Sequence, residues 1–227
     1  MAVAVLASLP GCGTSDDSTT DAGTESTMET EAGTDPSQTG TDAGSETGSD
    51  TSANNDPVWD SAYCQPVSDT RPVNPWLPDW GSREAELLEL VNALRASGTT
   101  CGGQAMPAVG PLTMEASLQC AARVHSLDMS VRDFFSHDNP DGESPFDRMG
   151  EAGYIFAAAG ENIAAGVTTP ADAMALWESS SGHCTNMMSP DYAEFGAGFI
   201  EGDGEFGTYW TQTFGRPLSF ARARLPR

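Results

Sequence analysis

Residues 195–214 read FGAGFIEGDGEFGTYWTQTF. Phe195 to Ile200 and Thr208 to Phe214 are short, rich in aromatic and β-branched residues, and joined through Gly202-Asp203-Gly204. Such a pattern predicts an antiparallel hairpin. Upstream the periodicity is helical. A helix is expected from Ser82 to about Gly98, with Glu84 and Glu86 in the first turn, where the helix dipole favours acids, and Leu87, Val91 and Leu94 as its buried stripe. A second is expected from about Glu115 to Arg132, with Leu118, Ala122, His125 and Met129 on one face. Ser144 to Gly153 can form a short helix, Glu161 to Ala165 a brief strand, and Thr169-Pro170-Ala171-Asp172 a helix start running to about Ser180. Helices first and strands after predict a sheet covered by helices, an α+β layered domain.

Outside this region the composition changes. Residues 13–57 are nearly all Gly, Ser, Thr, Asp, Glu and Ala, and cannot bury enough apolar surface to offset the entropy of ordering. They are expected to be a disordered tether. Residues 58–81, rich in Pro, Asp and Trp, are expected to be an extended arm, residues 82–217 the folded domain, and residues 218–227 a tail. The formal charge is -23, and all ten basic residues are Arg. Nucleic acids and anionic lipid surfaces are bound through clustered Lys and Arg, so neither is an expected partner.

Cys12 ends the apolar run MAVAVLASLPGC, while Cys64, Cys101, Cys120 and Cys184 lie in the folded part. Leu9-Pro10-Gly11-Cys12 resembles the lipobox of bacterial lipoproteins, whose cysteine is acylated. Residues 1–12 are thus expected to be an export signal, Cys12 a lipidation site, and the protein extracellular or envelope-held, touching membrane only through that anchor. Export to an oxidising compartment would pair the other four cysteines, in any of three ways.

Three polar residues sit in small, turn-like surroundings: His137 in FFSHDNPDG, Glu161 in AGENIAAG and His183 in SSSGHCTNMM. Two imidazoles and a carboxylate form the donor set of an open zinc site. Their wide spacing is equally that of three unrelated loop residues. His125, on an apolar helix face, is expected to be a core histidine donating to a backbone carbonyl. Trp177, Trp210 and Phe214 read as core. Gln212, on the strand face of the last two, is either a buried anchor or part of a cleft floor.

Larger strings tie these residues together. They are Leu90-Val91-Asn92 with Arg95, Ala121-Ala122-Arg123 and His125-Ser126 with Met129, FFSH ending at His137, and Gly160-Glu161-Asn162-Ile163-Ala164. Trp177 with Ser180, Gly182-His183, Asn186-Met187-Met188, Gly196-Ala197-Gly198 and Tyr209-Trp210-Thr211-Gln212 complete the series. In this order the series resembles the bacterial SCP-like branch of the CAP superfamily, which includes cysteine-rich secretory, venom-antigen and pathogenesis-related proteins. The resemblance implies a three-layer α-β-α sandwich with a small antiparallel sheet. It also implies a cleft lined by two histidines and two glutamates, where some members bind a divalent metal.

Carried onto this chain, the cleft residues are His137, Glu161 and His183, with His137 and His183 as ligands for zinc or another divalent cation. The fourth position is Ser180 instead of glutamate, and Glu178 would point about 200° away from it. The resemblance also favours Cys101 with Cys184, which leaves Cys64 with Cys120. The function it implies is a non-enzymatic, monomeric binding module for a small apolar ligand, lipid or peptide. The alternative is a metal-dependent hydrolase in which Glu161 is the general base, and a third reading is a structural domain with a vestigial cleft.

Overall fold

A computed structural model describes residues 4–10, 57–69 and 76–218. The tether expected over residues 13–57 and the C-terminal tail lie almost wholly outside the described residues. Helix α1 (Pro78–Ser97) starts ahead of Ser82, because proline suits the first helical position, where no backbone N–H is needed. It stops at Gly98, whose φ of 70° is the left-handed value that breaks a helix. The arm before it is not simply extended. Pro57–Asp60 and Gln65–Val67 are 3-10 turns, each opened or held by proline, and Cys64 is bonded to Cys120.

Helix α2 (Ala116–Arg132) is capped by the Glu115 carboxylate, which accepts from Leu118 N at 2.7 Å. Helix α3 (Pro145–Glu151) opens on a reciprocal Ser144–Asp147 capping box, and α4 (Pro170–Ser179) on Thr169. A fifth helix, α5 (Ser181–Met187), was not expected. It is too short, at 7 residues, to show a period, and it carries His183. The strands are β1 (Ala4–Pro10), β2 (Thr99–Cys101), β3 (Gln104–Met106), β4 (Thr113–Met114), β5 (Phe156–Ala165), β6 (Glu194–Glu201) and β7 (Thr208–Pro217). Strands β6 and β7 are the expected hairpin. Strand β5 begins before Glu161, and β2 and β3 pair across the Gly102-Gly103 turn between the first two helices.

The main sheet has the order β1-β5-β7-β6-β4, antiparallel except for β4 beside β6. Successive side chains of a strand point to opposite faces, and β6 uses this sharply. Gly196 and Gly198 face α2 directly, and a Cβ at Gly198 would sit 2.5 Å from the backbone carbon of Ala122. Phe195 and Phe199 face the other way, and with Trp210 and Phe214 of β7 they pack on Leu87 and Val91 of α1 and Trp177 of α4. The result is α+β in three layers, with α2 below the sheet and α1 and α4 above it.

Glu84 departs from its expected role at a helix N-terminus. Because α1 starts at Pro78, Glu84 lies past the first turn and is fully buried. It pairs with Arg123 of α2 at 2.7 Å and accepts from Trp76 Nε1 at 2.8 Å, Gln119 Nε2 at 2.9 Å and the Phe199 backbone N–H at 3.2 Å. Arg123 also donates to Val67 O and Asp69, and its guanidinium lies 5.1 Å from the Trp59 and Trp76 ring centres.

Residues 4–10, read as part of an export signal, pair as β1 with the outer edge of β5, Leu6 opposite Ile163 and Leu9 opposite Glu161. No helix among the described residues is long and apolar enough to cross a membrane. Gly198→Ala should cost about 1–3 kcal/mol or more in a urea titration, because α2 must lift off the sheet. Gly150→Ala, in α3 with open space around it, should instead gain roughly 0.5–1 kcal/mol from helix propensity.

Candidate functional site

Helix α2 ends in a left-handed turn at Asp133 (φ 53°), which swings residues 134–137 back beneath the helix. His125 Nε2 meets Ser136 O at 3.0 Å. A neutral imidazole can only donate in that bond, so His125 carries its proton on Nε2. This is the core role read from its helix face, with one addition: Nε2 is also 3.9 Å from Glu161 Oε1. Burial is the main reason that the His125 pKa falls from 6.5 to about 4.

The loop delivers His137 to Glu161, with Nδ1 and Oε1 2.8 Å apart. Glu161 has a second partner that no sequence signal marked. Arg148 of α3 donates through Nη2 to both carboxylate oxygens, at 3.2 and 2.9 Å, and to His137 O at 2.8 Å. All three side chains are nearly or wholly buried. Burial alone would raise the Glu161 pKa, but Arg148, then His125 and His137, outweigh it and hold the carboxyl at about 2. The only hint of Arg148 in the sequence is an arginine next to the capping box, and capped surface helices commonly have one.

His183 arrives from the other side of the strand. Asn162, next to Glu161, points to the opposite face of β5 and donates to His183 O at 3.2 Å and Gln212 Oε1 at 3.0 Å. Asn186 of α5 donates to Glu161 O at 3.2 Å and Asn162 Oδ1 at 3.0 Å. Gln212 is therefore a buried anchor of this amide chain. The C-terminal end of α5 is held by Arg95, which donates to Met187 O at 2.7 Å and Ser189 O at 2.9 Å. Its body is held by the Cys101–Cys184 disulfide.

His183 is wholly buried, yet neither ring nitrogen has a hydrogen-bond partner among the described residues. Burial, and then the neighbouring His137, lower its pKa to about 4. Ser180 sits at the α4–α5 corner, where its backbone carbonyl accepts from Cys184 N at 2.9 Å. The structure thus joins His137 directly to Glu161 and sets His183 close enough to feel His137.

A divalent metal would suit the two imidazoles more than the carboxylate. With Nδ1–H donated to Glu161, His137 is oriented as a carboxylate orients a metal-binding histidine. His183 is neutral, with both nitrogens unpartnered. Glu161 already faces a guanidinium. Among the described residues, no three His, Cys, Asp or Glu side chains converge as a ligand set. The described residues therefore make no closed structural site, and an ion held by these histidines would have to take its remaining ligands from water or a bound molecule.

The model of the CAP, cysteine-rich secretory protein, family matches residues 88–214, more than half of the chain. The uncharacterized protein YkwD of Bacillus subtilis is 35% identical over 131 residues, 58% of this chain and 46% of that protein. The uncharacterized membrane protein YlbC of the same organism is 28% identical over 148 residues, 65% of this chain and 37% of that one. The chain therefore spans less than half the length of either relative. A crystal structure of an extracellular protein containing a SCP domain from Bacillus anthracis superposes with a TM-score of 0.53 at 26% identity. The match covers 63% of this chain and 45% of that one. The chain belongs to the CAP family.

Between pH 6.5 and about 4 the unfolded chain holds more protons on histidine than the folded one. Stability should therefore be complete above pH 6.5 and fall as the solution is acidified through that window. Glu161 adds a second loss, from 4.5 down to about 2. Urea midpoints measured across the upper window should decline, and His125→Gln should make the decline shallower.

Proposed function

We propose that this CAP-family protein is an exported, surface-held binding module, not a hydrolase. The observation that carries the reading is the double hold of Arg148 and His137 on Glu161. A carboxylate whose pKa lies near 2 is too weak a base to take a proton from water near neutral pH, and the proton acceptor a hydrolase needs is tuned closer to 7. The fourth position of the family's cleft, Ser180, supplies no second carboxylate. Glu161 instead orients His137, and His137 and His183 would bind zinc or a similar cation, which would act as a Lewis-acidic contact for a polar group on a small apolar, lipid or peptide-like ligand.

Export and lipid anchoring at Cys12 complete the proposal. They are supported by the lipobox-like run, by two disulfides that need an oxidising compartment, and by the extracellular relative. The acidic segment after Cys12 would be the spacer that holds the domain off the membrane.

Zinc titration of the full chain should show submillimolar binding that is lost in both His137→Ala and His183→Ala. Binding that survives both substitutions would remove the metal site. A panel of peptides and esters should show no turnover, and turnover abolished by Glu161→Gln in a folded variant would restore the hydrolase. The wild type should partition into detergent from the cell envelope, and Cys12→Ser should leave the protein in the aqueous phase.

A further inference from the structure

The outer edge of β5 has features that packing alone does not require. On its inner side β5 pairs with β7 along its length, from Phe156 opposite Pro217 to Ala165 opposite Tyr209. On its outer side β1 covers only Gly160 to Ala165. Phe156 to Ala159 have no strand partner there among the described residues, and instead line a groove of about 570 Å³ with Phe146, Tyr192 and Asp191. A second hollow of about 300 Å³, beside Cys101 and Gly182, adjoins the first at Thr185 and Asn186.

Three side chains reach this edge. Tyr192 donates its hydroxyl to Ala159 O at 3.2 Å, Asn186 its amide to Glu161 O at 3.2 Å, and Trp177 its indole N–H to Ile163 O at 3.0 Å. The accepting residues alternate along β5, so their backbone groups face outward, away from β7. The N–H groups of the same residues face outward with the carbonyls. A row of such donors along a strand edge is a template for another strand.

We propose that the outer edge of β5, from Phe156 to Ala165, is a strand-acceptor site for an extended peptide of small and aliphatic residues, bound antiparallel. Strand β1 shows the chemistry the edge accepts. Its 7 residues, AVLASLP, pair antiparallel from Ala4 opposite Ala165 to Pro10 opposite Gly160. A strand continued past Gly160 in that register would run alongside Ala159 and Ala158 into the groove. There Phe146, Phe156 and Tyr192 offer apolar walls for alternate side chains. Asp191 at the groove disfavours an acidic peptide. Residues 4–10 also lie in the proposed export signal, and their removal would leave the whole edge open.

The inference deepens the binding-module reading by naming the ligand class. It rests on that reading for its role, but needs neither histidine nor metal. The test uses the full chain with Leu6→Pro and Leu9→Pro, opposite Ile163 and Glu161, which take ladder N–H groups from β1 and should free the edge. The probe is a blocked synthetic peptide, AVLASLP, followed by fluorescence anisotropy and by amide hydrogen exchange. Expected is saturable binding, at least about tenfold tighter to the proline variant than to the original chain, with slowed exchange at Ala159, Glu161 and Ile163.

Two further peptides, N-methylated at alternate residues in opposite phases, make the test specific. One phase should lose about tenfold or more, since its methyl groups fall in the ladder, while the other binds as before. Equal binding in both phases, or no saturable binding, would overturn the strand-acceptor site. Zinc titrated into the same samples separates the two ideas. Zinc bound without peptide sinks only the strand site, and peptide bound without zinc sinks only the metal.

Discussion

A buried carboxylate, Glu84, ties the arm, α1, α2 and β6 together. Four donors from three parts of the chain converge on it: Trp76 from the arm, Gln119 and Arg123 from α2, and the Phe199 amide from β6. Taking an ion pair out of water costs several kcal/mol per charge, and only a full set of hydrogen bonds offsets that. The arrangement therefore tolerates little displacement of any partner. It sets where α1 crosses the sheet and how deep α2 lies on the bare glycines of β6, and it draws the tryptophans of the arm against Arg123.

The candidate site repeats the device in a smaller volume. Glu161 and Arg148 form a second buried pair, on the same side of the sheet as α2, and the imidazoles are arranged around it. The pair has a chemical cost, because a carboxylate that must stay charged to satisfy a buried guanidinium cannot also take up protons. What remains useful is orientation. His137 is fixed in ring plane by Glu161, while His183, held by a disulfide on one side and Arg95 on the other, is buried and makes no ring hydrogen bond among the described residues. The amide chain of Asn162, Asn186 and Gln212 carries that order through the strand from one face to the other.

Sequence exposed the parts of this structure that depend on local pattern. The helices containing Leu87 and Met129 showed their 3.6-residue period, and the β6–β7 hairpin its alternation and glycine-rich turn. The roles of Glu84 and Arg148 were not visible, because a charged residue near a helix start looks the same whether it faces water or a buried partner. Helix α5 and strand β4 are too short to carry a period, and β4 owes its existence to pairing with Phe195 and its neighbour. His137 and Glu161 stood out through their glycine- and turn-rich surroundings. The contact between them depends on the Asp133 turn, which no spacing rule encodes.

The two disulfides overlap along the chain: Cys64 joins Cys120, and Cys101, inside that loop, joins Cys184 outside it. A protease that cuts any one peptide bond between Cys64 and Cys184 thus leaves at least one bridge across the nick. The halves cannot drift apart, and the damage stays local. In surroundings rich in foreign proteases and without a means of resynthesis, such a domain would wear out piecemeal instead of being shed at the first cut.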